Sequence, residues 1–337
     1  MSLSPYLLRA VERLNLPPED AEAAMQIILE GAASPSQIAA FLIALKMKGE
    51  TADELVGFAR AMRRMAVPVN AGLNGEPLLD TCGTGGDGCE TFNISTIAAF
   101  VVAGAGVRVA KHGNRSISSK CGSADLLEAW GIQIAMTPEQ SARAIREVGI
   151  GFLFAPALHA AMKHAQPVRT ELKIRTAFNL LGPLTNPAGA TAQLTGAASE
   201  KAAELIAKAL AILGLQRGFV VHGHDGLDEI TTTGPTTAWE IRDGHAERRT
   251  LEPADFALRV ARPEDLRARD KQGCIAIANA VLDGALGPQR DIVLANASAA
   301  LVAAGKAETF LEGVALAVVS IDSGAAKRKV QELAAFA

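Results

Sequence analysis

Beyond Pro77 the chain alternates short aliphatic runs with helical stretches: "LLDTCG", "STIAAFVVAGAG", "VRVAKHG", "SADLLEAWG", "IGFLFAP", "EKAAELIAKALAILG" and "GFVVHG". Strands that are apolar throughout are buried on both faces, and parallel neighbours need a crossover, usually a helix, to connect them. The pattern therefore predicts βα units and a mainly parallel sheet. In such sheets ligands collect at loops that follow the carboxyl ends of the strands. Those loops here are "TCGTGGDGCE", "KHGNRSISSKCG", "APALHAAMKH" and "GHDGLDE".

The first part of the chain differs in texture. From Ser4 to about Met65 the apolar residues recur at helical spacing, as in Ile38, Phe41, Leu42 and Leu45, with Ser34 placed to cap and Pro35 in the first turn. Thr51 and Glu54 have capping-box spacing ahead of the stripe Leu55, Phe58, Met62 and Met65, which reads as a packing face, against this chain or a second subunit. "VPVNAGLNGEP" then breaks the pattern. The fold class expected is α/β, with a small helical domain over 1–72 and a larger α/β domain over 73–337 whose mostly parallel central sheet is flanked by helices. A proline-punctuated helical segment follows Ala155, and its helices from about 158 to 187 are expected to return to the N-terminal ones. At 337 residues the chain suits two such units.

Composition limits the partners. A net charge of −3 and an aromatic share of 4% argue against a broad nucleic-acid surface or a base-stacking platform. No run of about 18 apolar residues and no secretory leader pattern is present, so a cytoplasmic protein is expected, neither membrane-bound nor exported. Cys82, Cys89, Cys121 and Cys274 form no C-x-x-C pair and read as free thiols.

Gly83, Gly85 and Gly88 have the spacing G-x-G-x-x-G between a strand and a helix. A dinucleotide site also needs an acidic residue about 20 positions on, to bond a ribose hydroxyl. Here the next strand ends instead at Lys111, His112, Asn114 and Arg115, and Asp87 inside the loop would repel a bare pyrophosphate. A turn with no ligand remains open, as does a different anion cradle. In the cradle, glycine amides and a helix N-terminus face a phosphate, helped by Asn93, Ser95 and Thr96 and by Lys111, Asn114, Ser118, Ser119 and Ser123.

"VVHGHDGLDEI" places Asp225, Asp228 and Glu229 after an apolar strand. His222 and His224 raise the possibility of zinc, hard oxygen donors beside a pyrophosphate fit Mg²⁺, and a solvated acidic turn is the plain alternative. In "FAPALHAAMKHAQPVRTEL", His159, Met162 and His164 could line a pocket for a flat molecule while Arg169 offers a fork for a carboxylate.

Taken in order, "DTCGTGGDGCETFNIST", "KHGNRSISSKCGSADLLEAWG", "FAPALHAAMKHAQPVRTELKIRTAFNLLGPLTNPA" and "VVHGHDGLDEITTTGPT" resemble the anthranilate phosphoribosyltransferase family across nearly the whole chain. The resemblance implies a homodimer, assembled through the helical domain, that joins anthranilate to 5-phospho-α-D-ribosyl 1-diphosphate in tryptophan biosynthesis. It implies donor binding by Gly83, Gly86, Asp87, Thr91, Asn93, Ile94, Ser95 and Thr96. Lys111, His112, Gly113, Asn114, Arg115, Ser116, Ile117, Ser118 and Ser119, with Ser123, would complete that pocket. Ser95, Asp228 and Glu229 would hold Mg²⁺. Gly83, Asn114 and Arg169 would hold anthranilate, with Ala155, Pro156, His159, Gly182 and Pro183 along its path. No covalent intermediate is expected, and His112 is the candidate proton acceptor. Cys121 and Ala160 depart from a common serine and proline of the family, leaving every charged and metal-binding group in place. Two rivals are a pyrimidine nucleoside phosphorylase, which needs phosphate and a nucleoside, and a non-catalytic nucleic-acid-binding relative.

Overall fold

A computed structural model describes residues 2–115 and 121–336. Four helices open the chain: α1 (Ser4–Val11), α2 (Pro18–Leu29), α3 (Pro35–Lys48) and α4 (Ala52–Met65). Both anticipated caps form, each a reciprocal pair: Ser34 with Gln37, and Thr51 with Glu54. Glu54 does more than cap. It is fully buried, accepts from the Leu16 backbone at 3.0 Å and pairs with Lys48 at 3.0 Å, so one carboxylate on α4 ties α3 to the connection between α1 and α2.

The rest of the chain winds around one sheet. Its order is β1 (Leu78–Gly83), α5 (Ile94–Gly104), β2 (Arg108–Gly113), α6 (Ser123–Ala129), α7 (Pro138–Glu147), β3 (Ile150–Phe154), α8 (Ala155–Leu158), α9 (Gln166–Leu172), α10 (Phe178–Leu181), β4 (Ala192–Gly196), α11 (Glu200–Ile212) and β5 (Arg217–Gly223). β6 (Thr236–Arg242), β7 (His245–Leu251) and the helices α12 (Lys271–Leu282), α13 (Pro288–Ala303), α14 (Phe310–Asp322) and α15 (Ala325–Ala334) complete it. The seven strands lie in the order β3-β2-β1-β4-β5-β6-β7, with β1 to β5 parallel and β6 and β7 antiparallel.

Side chains alternate across the strands, as period-2 geometry requires. Leu79, Val109, Phe152, Leu194, Phe219 and Val221 face a core built with α5, α13, α14 and α15. On the opposite face Val220 and Ile241 join α11 in a cluster that continues through Phe41, Phe58, Ala165, Val168, Phe178 and Leu181. The segment after β3 thus packs onto the N-terminal helices, and α11 does so too. Among the described residues no helix is long and apolar enough to cross a membrane.

The strand order reverses direction between β1 and β4. Successive crossovers run to one side from β1 and to the other from β4, leaving a crevice at their carboxyl ends. Gly83 and Gly196, the last residues of these two strands, sit side by side in register at that crevice.

Candidate functional site

The glycine loop leaves β1 at the switch point. Gly85, Gly86 and Gly88 have φ of +61°, +77° and +73°, a left-handed conformation in which successive amides turn inward and β-carbons are strained. Thr84 fixes the loop's base: its amide donates to the Gly196 carbonyl at 2.9 Å, and its hydroxyl accepts from the Ala198 amide at 3.1 Å.

The acidic loop after β5 meets this nest directly. Asp228 accepts from the Gly85 amide through Oδ2 at 2.9 Å, and Glu229 accepts from the Ser95 amide through Oε1 at 3.0 Å. A Cβ on Gly196 would collide with the Asp228 carbonyl, so that glycine is what lets β4 and the acidic loop touch. Burial, then the neighbouring charge of Asp87, pushes the Asp228 carboxyl up; burial, then Asp228, does the same to Glu229. Two carboxylates held together against their preference for water mark a place for a cation. The α5 N-terminus, expected to face a phosphate, is partly filled from within, because its Ser95 amide already serves Glu229.

Among the described residues, no three His, Cys, Asp or Glu side chains group as a protein-only metal cage. The donor set of Asp228, Glu229 and the Ser95 hydroxyl nevertheless fits Mg²⁺, which takes one or two carboxylates and fills its remaining positions with water and substrate phosphate. His222 and His224 are engaged separately: Nδ1 of His222 donates to the Ala197 carbonyl at 2.9 Å, and Nε2 of His224 lies 3.0 Å from the Thr237 hydroxyl.

Lys111 lies beneath the nest. It is 3% exposed, and its ammonium donates to the Thr81 carbonyl at 2.6 Å. Burial lowers its pKa, while Asp80 and Glu229 favour its charge. Its role in this geometry is that of a buried counter-ion to the acidic groups. Asp80, which the sequence reading passed over, is held by the His112 amide at 3.0 Å and Asn186 Nδ2 at 2.8 Å; burial raises its pKa to about 6. A charged residue inside an apolar strand was the available signal.

The β2–β3 register pairs Gly113 with Phe154, so Asn114 and Ala155 leave the sheet next to each other. Gly113 has no room for a side chain, since a Cβ would press on Ser123 Oγ and Phe152. Ser123 Oγ donates to the Asn114 carbonyl at 3.1 Å. His112 and His159 are buried with ring centroids 5.2 Å apart, and Nε2 of each lacks a partner. Burial and the proximity of His159 push His112 down to about 3, and burial pushes His159 down to about 4. Both rings are therefore neutral, and the Gly182 and Thr185 carbonyls engage His112 and His159 respectively. Pro183 is buried alongside, its carbonyl accepting from Gln193 Nε2 at 2.9 Å.

Arg169, on α9, lies over the Phe178 ring at 5.2 Å, and its guanidinium donates to Gln166 Oε1 at 3.3 Å. Among the described residues no carboxylate pairs with it. Arg115, by contrast, is held on the surface by Glu128, at 2.6 and 2.7 Å, and by Asp125 at 3.4 Å. Its guanidinium is directed to α6 instead of the glycine loop. Of the remaining donor candidates, Asn93 Nδ2 donates to the Cys121 carbonyl at 2.9 Å, joining the first two loops, and its Oδ1 is buried without a partner. Thr91 forms a bridge to Arg267. The side chains of Ile94 and Thr96 are buried, which leaves Ile94 only its backbone to offer. Ser116, Ile117, Ser118 and Ser119 lie outside the described residues.

Residues 4–66 match the family described as glycosyl transferase family, helical bundle domain, and residues 75–327 match its a/b domain. The chain is 74% identical to the anthranilate phosphoribosyltransferase of Solibacter usitatus, across 100% of this chain and 99% of that one. It is 53% identical to that of Moorella thermoacetica, over 99% and 98% of the two chains. The crystal structure of the Thermus thermophilus enzyme superposes with a TM-score of 0.92 at 44% identity, covering 98% of each chain. The Saccharomyces cerevisiae enzyme, in complex with PRPP and Mg, superposes with a TM-score of 0.89 at 29% identity, over 98% of this chain and 96% of that one.

Proposed function

The chain belongs to the anthranilate phosphoribosyltransferase family, and we propose from this how its site works. The reaction transfers the 5-phosphoribosyl group of 5-phospho-α-D-ribosyl 1-diphosphate to the amine of anthranilate, releasing pyrophosphate, in tryptophan biosynthesis. The observation that carries the assignment of the donor site is the meeting of nest and acidic pair at the switch point, through the 2.9 Å bond from the Gly85 amide to Asp228.

Bond breaking at ribose C1 places negative charge on the departing diphosphate and positive charge on the ring. The inward amides of the glycine loop bind the diphosphate, and the polar side chains of Thr91, Ser123 and Asn93 fix the phosphoribosyl group, Asn93 through its unpartnered Oδ1, which accepts from a hydroxyl. Asp228, Glu229 and Ser95 would hold Mg²⁺, which supplies charge neutralisation to the leaving group. Lys111 acts from below, balancing the buried carboxylates. Asn114 and Arg169 hold anthranilate on the other side of the ribose, in the compartment bounded by Ala155, Pro156, His159, Gly182 and Pro183. An arylamine is uncharged at neutral pH, so nucleophilic attack requires no prior deprotonation. His112 Nε2 offers a lone pair with no protein partner. With the ring's pKa held near 3 it accepts a proton only in passing. No step needs a covalent enzyme intermediate.

In solution, anthranilate fluorescence is expected to fall only when the ribosyl donor and Mg²⁺ are both present. Loss that instead requires inorganic phosphate and a nucleoside would move the chain to the phosphorylase reaction.

The protein acts as a cytoplasmic homodimer in this reading. Leu8 and Val11 of α1 are 61% and 62% exposed, and Met47 of α3 is 73% exposed, which puts apolar surface on the outside of the N-terminal helices. Sedimentation equilibrium should return twice the chain mass, and Leu8→Glu with Val11→Glu should shift it to the monomer. A monomeric wild type would remove the dimer.

A further inference from the structure

Arg175 is not among the donor- or anthranilate-binding positions, yet it reaches the centre of the glycine loop. The chain between α9 and α10 reverses at Lys173, whose φ is +51°, and this turn sends Arg175 back across the switch point. Its Nη1 donates to the Gly85 carbonyl at 2.6 Å. Its guanidinium fills the space over Gly86 so completely that a Cβ there would collide with Nη1. Gly85 is therefore gripped from both ends, its amide by Asp228 and its carbonyl by Arg175. The cation stands close enough to Asp228 to favour that carboxylate's charged form.

We propose that Arg175 is a positioning residue that serves as the resident counter-cation of Asp228, as Lys111 does for Glu229, holding the glycine loop in its nest conformation until the magnesium-bearing diphosphate takes over that charge. The inference rests on the donor site described above. It follows from the arrangement that one cation has two opposite effects. A divalent ion approaching alone is repelled by the guanidinium, whereas a diphosphate is attracted by it and finds the loop amides already turned inward. Residues that only support the fold would weaken both ligands together.

The opposition makes the test specific. Mn²⁺, replacing Mg²⁺ as a paramagnetic probe, is titrated into the donor-free enzyme and followed by electron paramagnetic resonance, for the wild type, Arg175→Ala and Arg175→Lys. Removing the charge in Arg175→Ala should tighten Mn²⁺ by about threefold. The same variant should raise the donor KM about tenfold, leaving the anthranilate KM as it was. Arg175→Lys keeps the charge without the fork, so it should restore wild-type Mn²⁺ affinity and recover only part of the donor KM. Unchanged or weaker Mn²⁺ binding in Arg175→Ala would overturn the proposal, as would equal rises in both KM values. If the alanine variant fails to fold, Arg175→Gln carries the same readings. Asp228→Asn with Glu229→Gln serves as the reference: wild-type Mn²⁺ affinity in that protein would overturn the metal site itself, and Arg175's role with it.

Discussion

Asp228→Asn combined with Glu229→Gln is expected to lower Mg²⁺-dependent turnover by at least about 10³-fold, roughly 4 kcal/mol of transition-state stabilisation. The melting temperature should stay at or above that of the wild type. Both halves of this expectation come from the same geometry. The amide oxygens can still accept from the Gly85 and Ser95 backbones, so the loop contacts at 2.9 and 3.0 Å survive. What disappears is a pair of like charges, Glu229 buried and Asp228 half-buried, whose pKa values the fold raises. A carboxyl with a raised folded pKa costs stability once the pH passes its unfolded value, and an amide carries no such cost. Activity that survives with its Mg²⁺ dependence intact would remove the metal assignment. Inactivity accompanied by a fall in melting temperature of more than about 10 °C would assign the pair to the fold instead.

The framework of this site was legible because it follows from local patterns. Four strands that carry site loops end in register at one edge, as the aliphatic runs indicated, and both helix caps were readable, Thr51 from its spacing to Glu54 and Ser34 from the proline that follows it. The β6–β7 hairpin went unread even though Asp243 and Gly244, at φ +52° and +77°, form the two-residue turn that Asp-Gly favours. Its strands, TTAWEIR and HAERRTL, mix polar and charged residues with few aliphatic ones, so they carry no apolar run that would mark them as strands. The charges were harder, because residue type does not disclose a partner. Lys111 is buried against Thr81, 30 positions away, Arg115 is taken by Glu128, and Glu229 occupies the Ser95 amide 134 positions back. Arg175 reaches Gly85, 90 positions away, through the left-handed turn at Lys173, which no local pattern discloses.

The lack of a charge partner supports the proposed role of Arg169. Lys111 and Arg115 both stand beside carboxylates, whereas Arg169 is half-buried, stacks on Phe178 and, among the described residues, has its guanidinium bonded only to the Gln166 side-chain amide at 3.3 Å. Burial without an anion lowers its pKa, so the fold bears an uncompensated cost for keeping the cation there. A ligand carboxylate would relieve that cost through two parallel hydrogen bonds. Arg169→Ala is therefore expected to raise the anthranilate KM about 10²-fold, near 2–3 kcal/mol, with the donor KM unchanged. Arg169→Lys, which keeps charge but loses the fork and the ring stacking, should fall about tenfold short of the wild type. Because Arg169 also packs on Phe178, truncation could loosen the pocket without any carboxylate being involved. The amide analogue of anthranilate separates the two causes, since it keeps the reacting amine and the ring and removes only the negative charge. If Arg169 holds the carboxylate, the wild type should lose most of its preference for the acid over the amide when Arg169 becomes alanine. If the preference persists in Arg169→Ala, the carboxylate is bound elsewhere.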